Sequence, residues 1–394
     1  MVATKSLELL KSYGPPTATE YEVLREKLAK GRPPVRTYAA SLLAAQPSTV
    51  QESIRLWKPI LSDDDAQMRL LALQCLAKWR ADLFVLVPDL LEQTMHSNPK
   101  VRALAIELLA VHGRDDRVVP ALLKVVQNDT DPVVRDAASV GLAAQELSRP
   151  GDLPVLRVLL KSESVAARMK AVDSLTRLGP AAGPALDDLL AALPKPPATL
   201  RIAVLRAIVA VNPDPSEKIV TVFKNVATEQ SADDGKVAVE AIDALAKMGE
   251  PGFKALVALL KSKLALPATE RVCAGISDYG PKADAVIADM YLLARKEPSL
   301  RPAVGDAFVK IGGSAVIKLL CETVTDMYFK GNAENVPAEV RRWGIATMGR
   351  FDRMALTQKQ KDDILTRLEL IIARERDNAN KAEARKSQLL IRGK

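Results

Sequence analysis

The sequence predicts an all-α fold, a right-handed α-solenoid of about ten stacked helix–turn–helix repeats. Three observations predict it. An arginine recurs every 33 residues, at Arg36, Arg69, Arg102, Arg135, Arg168 and Arg201. Around each one, apolar residues fall where they share one face of a helix. The apolar fraction is aliphatic: hydrophobic residues make up 48% of the 394, yet Phe, Trp and Tyr only 4%. That composition suits Ala- and Leu-rich helices rather than strands, which favour aromatic and β-branched residues. A chain of this length would ordinarily divide into two or three cores. A repeat array escapes that rule, because each unit touches only its neighbours.

Take each arginine as position zero. Position −1 holds Val35, Met68, Val101, Val134, Ala167 and Leu200. Position +3 holds Ala39, Ala72, Ala105, Ala138, Ala171 and Val204, and position +7 holds Leu43, Leu76, Leu109, Leu142, Leu175 and Ile208. These offsets lie on one helical face. The small residue in the middle lets two helices approach closely, since interaxial distance follows the side chains at the contact.

Ahead of each such helix stands another apolar segment, "VPDLLEQTM" from 87, "VPALLKVVQ" from 119 and "LPVLRVLLK" from 153. A short polar turn separates the two. Asn98 before Pro99 and Asp131 before Pro132 read as N-cap residues followed by an N1 proline. One helix pair cannot bury its own stripe, so pairs must stack. The arginine sits roughly 80° from the centre of the stripe. From that flank it can lay its stem on the next repeat and direct its guanidinium at turn acids such as Asp65, Asp129 or Asp131. The row is therefore read as structural.

Later units are less regular. Glycines 113, 179, 249, 280, 312 and 349 are taken to fall eleven residues after a position zero, which gives Ala238, Thr269, Arg301 and Ala338 for the last four. Extra length lies in "TEQSADDG" (228–235) and "FKGNAENVP" (329–337), and "PKPP" (194–197) is a rigid connection. Beyond residue 350, Thr357 and Gln360 have capping-box spacing. Ile364, Leu365, Leu368, Ile371 and Ile372 then form one apolar face. The remaining "DNANKAEARKSQLLIRGK" is polar and basic and is expected to fray. The expected organisation is an N-terminal helical cap over 1–30 with two short helices around "GPP", a solenoid over 31–350, and a capping helix with a basic tail over 351–394.

"NPKVRALAIELLAVHG", "DPVVRDAASVGLAA" and "SVAARMKAVDSLTRLG" resemble the second helices of HEAT repeats, in particular the short bacterial HEAT-like class also found in bilin lyases. The resemblance covers nearly the whole chain. It implies an α-solenoid whose second helices line a concave wall, and a family that serves mostly as protein-binding scaffold. HEAT-like iron hydroxylases carry pairs of His-Glu dipeptides; this sequence has none, so that activity does not transfer.

No catalytic constellation emerges, and neither a metal site nor a cofactor is expected. Cys75, Cys273 and Cys321 are far apart and read as small buried apolar residues in a reducing compartment. The two histidines, His96 and His112, read as a turn residue and a helix-end residue, too few for a zinc site. The acidic runs Asp63 to Asp65, Asp115–Asp116 and Asp233–Asp234 fall near helix starts, where carboxylates favour the helix dipole. No stretch approaches the ~20 apolar residues of a membrane span, and the N-terminus has no signal-peptide pattern. A cytoplasmic protein is expected.

The net charge is +8. Residues 338–394 hold fourteen Lys or Arg and eight Asp or Glu, a net +6, so the long body carries only +2. The exposed position +5 reads Ser41, Gln74, Glu107, Val140, Asp173, Arg206, Asp243, Ala274, Asp306 and Trp343. Four acids against one base would repel a phosphate backbone. The candidate partner-binding residues are therefore Glu107, Asp173, Asp243, Asp306 and Trp343, and the expected partner is a protein or peptide with basic residues. Nucleic acid, held by the basic tail or in the manner of a divergent HEAT-like DNA glycosylase, is the alternative. A bilin-lyase-like enzyme is weaker still.

Overall fold

The computed structural model describes residues 17–45, 49–111, 115–194, 197–212, 216–229, 235–329 and 336–393. Every regular element among them is an α-helix or a short 3-10 turn. The expectations for the "GPP" segment, His112, Gly113 and Asp233–Asp234 lie outside the described residues, as does most of the two insertions.

The chain divides into two compact units, the first ending at Ala192 and the second beginning at Leu193. The first contains α1 (Ala18–Lys30), α2 (Pro33–Ala44), α3 (Val50–Trp57), α4 (Ala66–Leu76), α5 (Val87–Gln93), α6 (Pro99–Leu109), α7 (Val118–Asn128), α8 (Pro132–Ala143), α9 (Leu153–Leu159), α10 (Val165–Leu178) and α11 (Leu186–Ala192). The arginine-bearing second helices are α2, α4, α6, α8 and α10. The second unit contains α12 (Ala198–Val211), α13 (Glu217–Thr228), α14 (Lys236–Ala246), α15 (Gly249–Leu260), α16 (Leu266–Ser277), α17 (Ile287–Lys296), α18 (Arg301–Ile311), α19 (Gly313–Phe329), α20 (Ala338–Gly349), α21 (Gln358–Arg374) and α22 (Asn378–Arg392). Its second helices are α12, α14, α16, α18, α20 and α22.

The 33-residue period also sets the helix starts. Asp65, Asn98, Asp131 and Ser164, each four residues before an arginine, accept a backbone N–H at the start of α4, α6, α8 and α10. Each such cap is worth ~1 kcal/mol. The buried set is wider than one stripe. In α6 it is Val101, Ala105, Ile106, Leu108 and Leu109, at offsets −1, +3, +4, +6 and +7. The same offsets are buried in α8, α10 and α12. Positions +4 and +6 are covered because a second helix has neighbours on more than one side. A fully buried Leu such as Leu108 contributes about 1.5–3 kcal/mol.

Two expectations fail at the C-terminal end. In α20 the buried residues include Val340, Gly344, Ile345, Thr347 and Met348. That pattern puts position zero at Arg341 rather than Ala338. Gly179, Gly249, Gly280 and Gly312 have φ between 55° and 61° and do follow their helices or open the next element. Gly349 is different. It is the last residue of α20, and a Cβ there would stand 2.8 Å from the Ser387 Cα, so only glycine lets α22 approach.

The second failure is the tail. Residues 378–392 do not fray but form α22, capped by Asp377 and burying Asn380, Ala384, Ser387 and Ile391. Their 3–4 spacing makes a narrow seam against α20, invisible to a search for large apolar residues. The helix α21 has the expected Thr357–Gln360 capping box and buries Ile364, Leu368 and Ile371. Together, α21 and α22 form one more helix pair beyond residue 350.

Candidate functional site

The arginines cross-link the turn edge. Each of the six bonds a carbonyl five to eight residues behind it, and Arg36 and Arg102 also reach an aspartate 27 positions ahead. Arg102 donates to His96 O (2.8 Å) and Ser97 O (3.0 Å) and forms a two-pronged pair with Asp129 at 2.7 and 2.8 Å. Arg36 bonds Leu28 O and the Asp63 carboxylate. Arg69 bonds Asp63 O and Gln93 Oε1, Arg135 bonds Asp129 O and Thr130 O, and Arg168 bonds Ser162 O and Glu163 O. Arg201 bonds Leu193 O and pairs with Glu229. Arg341 continues the series with Val336 O and a buried two-pronged pair to Glu375.

The guanidinium targets differ in part from expectation. Asp129 is one, but Asp65 and Asp131 cap α4 and α8 instead, and Asp63 receives Arg36. An acid two residues before the cap faces the preceding repeat, whereas the cap itself must face its own helix. Burial pushes the Asp63 and Asp129 carboxyls up, but the arginine and the backbone N–H of the cap residue outweigh it, and both are held below the ordinary value.

The position +5 residues lie on the second helices, where their surroundings diverge. Glu107 on α6 and Asp173 on α10 are exposed. Asp243 on α14 pairs with Arg271 on α16, and Asp306 on α18 pairs with Arg350 at the end of α20. Arg206 on α12 makes a two-pronged pair with Glu240 on α14 at 2.9 and 2.7 Å. The acids of the second unit are thus joined to cations that stand two or more positions away from +5 on the next helix. Trp343 is two residues after Arg341, not at +5. Its ring lies 6.2 Å from Tyr291 and 6.0 Å from Phe308, and its indole N–H donates to Arg301 O at 2.7 Å.

The basic C-terminal residues are partly committed as well. Arg392 pairs with Glu369, Lys386 with Glu383 and Arg342 with Asp377.

In the first unit the second-helix face holds an open trough of about 600 Å³ across α2, α4 and α6. Its floor is Leu70, Leu71, Ala103 and Leu104, all half-buried. One rim carries Gln67 and Lys100, at position −2; the other carries Ser41, Gln74 and Glu107, at position +5. The position +5 residues were visible in the sequence. The floor was not, because Leu70, Leu71 and Leu104, at offsets +1 and +2, fall outside the stripe and nothing in the sequence marks them as a shared surface.

Nucleophilic chemistry finds little support. Burial pushes the Cys75 thiol up to about 11 and those of Cys273 and Cys321 up to about 12, so all three stay protonated near neutrality. Burial and the neighbouring Arg69 and Arg102 push the His96 imidazole below its ordinary value; its Nδ1 accepts the Asn98 N–H at 3.0 Å. Among the described residues no group of three or more His, Cys, Asp or Glu converges as a metal site. No helix among them is long and apolar enough to cross a membrane.

Residues 54–143 and 87–175 match the family of HEAT repeats. No curated protein matches the chain. Among solved structures it is similar to a Kap121p mutant, with 14% identity, a TM-score of 0.51, and coverage of 94% of this chain and 45% of that one. The chain therefore spans less than half of the Kap121p chain, and the likeness is one of fold. The β-catenin chain from a study of its cadherin interaction aligns at 13% identity over 94% of this chain and 91% of its own, with a TM-score of 0.45. The phycocyanin lyase complex of CpcE and CpcF from Nostoc aligns at 19% identity over 62% of this chain and 94% of that one, with a TM-score of 0.33.

Proposed function

We propose that this chain, which carries HEAT repeats and folds as an α-solenoid, is a non-enzymatic scaffold that holds a protein partner on its second-helix face. The observation that carries the reading is the trough over α2, α4 and α6, an apolar floor between polar rims. Contact surfaces of this kind, apolar at the centre and polar at the edge, suit protein recognition. The exposed acids Glu107 and Asp173 would favour a partner with basic residues. Asp243, Asp306 and Trp343 serve contacts within the chain, so the proposal rests on the first unit.

Amine-reactive crosslinking in native lysate, read by mass spectrometry, tests it. Lys100 and Lys170 lie on second helices of the first unit and should crosslink to one recurring partner. Glu107→Lys with Asp173→Lys should abolish that crosslink. A partner recovered unchanged by the double variant, or crosslinks confined to the second unit, would remove this surface from the reading.

A further inference from the structure

The dimensions of the trough select the shape of its occupant. Its rims lie seven residues apart on α4 and on α6, from Gln67 to Gln74 and from Lys100 to Glu107. At a helical rise of 1.5 Å per residue the trough is about 10 Å wide. It crosses three helices, and neighbouring helices pack 8–10 Å apart, so it is about 16–20 Å long. A strand occupies about 5 Å of width and would leave half of the leucine floor in water. An α-helix, about 10–12 Å across with its side chains, spans the floor from rim to rim. The rims also differ in charge at the α6 end. Lys100 stands on one side and Glu107 on the other, both exposed.

Extending the scaffold reading, we infer that the trough receives an amphipathic α-helix of another protein, laid across α2, α4 and α6. Its apolar stripe meets Leu70, Leu71 and Leu104. One of its flanks is acidic and faces Lys100; the other is basic and faces Glu107. About eleven to thirteen residues fill the length at 1.5 Å each. The apolar contact supplies the attraction, and the opposed rim charges choose among candidate helices.

The test is a displayed library of 16-residue helical peptides with the stripe and both flanks randomised, selected on the full chain. Enriched clones should carry a leucine-type stripe with one acidic and one basic flank. They should lose at least tenfold in affinity for Leu104→Glu. The milder Leu71→Gln should also weaken them, which guards against misfolding of the first variant; unchanged circular dichroism checks both. Glu107→Lys makes both rims basic and should shift enrichment to clones acidic on both flanks. Clones without a helical stripe, clones indifferent to Leu104→Glu and Leu71→Gln, or no enrichment at all would each overturn the helical occupant. The crosslinking experiment decides the scaffold reading separately, because it asks for a partner of any shape.

Discussion

The two units stitch their repeats together on different surfaces. In the first, with its even 33-residue spacing, the inter-repeat pairs Arg36–Asp63 and Arg102–Asp129 lie on the turn edge. In the second, where position zero becomes Ala238 and Thr269, the pairs Arg206–Glu240, Asp243–Arg271 and Asp306–Arg350 join the second helices themselves. The difference teaches a rule of exclusion. Pairs on the second-helix face occupy surface that a ligand would meet, whereas pairs on the turn edge lie away from it. The second unit keeps the turn-edge design at its two ends, in Arg201–Glu229 and in Arg341–Glu375, and the last of these is the exception in being buried.

That exception gives the largest expected effect. Arg341 and Glu375 have side chains only 9% and 3% exposed. Glu375→Ala leaves a buried guanidinium without its counter-charge and should cost about 3–5 kcal/mol by denaturant titration. A loss below 1 kcal/mol would mean that the end of the second unit does not depend on its clamp.

The corresponding change in the first unit should be milder. Asp129→Ala removes two charge-assisted bonds to a partly exposed Arg102 and should cost about 1.5–3 kcal/mol. The pair also sets a pH dependence. Asp129 is held below the ordinary carboxylate value, by Arg102 and the Asp131 N–H against the opposing push of burial. Its contribution is therefore complete above about pH 4 and lost as pH falls through the lowered folded value. Acid unfolding of the wild type and Asp129→Asn should converge at low pH; a constant gap down to pH 2 would contradict the clamp.

Gly349→Ala probes the seam between α20 and α22. The new Cβ would fall 2.6 Å from the Ser387 Cβ and 2.8 Å from its Cα. Overpacking of this kind costs about 1–3 kcal/mol. Hydrogen exchange should speed up across 378–392 while α4 and α6 stay protected. Equal acceleration in the first unit would show that the effect is not local.

The smallest effect belongs to the face pairs of the second unit. Arg206 has a side chain 63% exposed. A double-mutant cycle on Arg206 and Glu240 should give under about 1 kcal/mol, falling further in high salt. A salt-insensitive coupling above that would overturn the contrast drawn between the edge clamps and the face pairs.

The sequence by itself determined the helix pair, its period, the caps and the apolar stripe. Each follows from local rules that act within one helix: a 3.6-residue turn, a side chain that accepts an orphan N–H, an alanine that admits a neighbour. This is why Asn98, Asp131, Thr357 and the offsets −1, +3 and +7 were legible without coordinates. The tertiary structure alone decided which charge meets which, because a guanidinium chooses among carboxylates from different repeats by distance. Asp63 rather than Asp65 takes Arg36, and Asp243 turns to Arg271 instead of to solvent. It also decided that Arg341 carries the last clamp and that the basic tail is a helix, since the small residues that seat α22 have meaning only against Gly349. The trough belongs with these: leucines beside a stripe are core or floor according to what covers them, and nothing within a single helix fixes that.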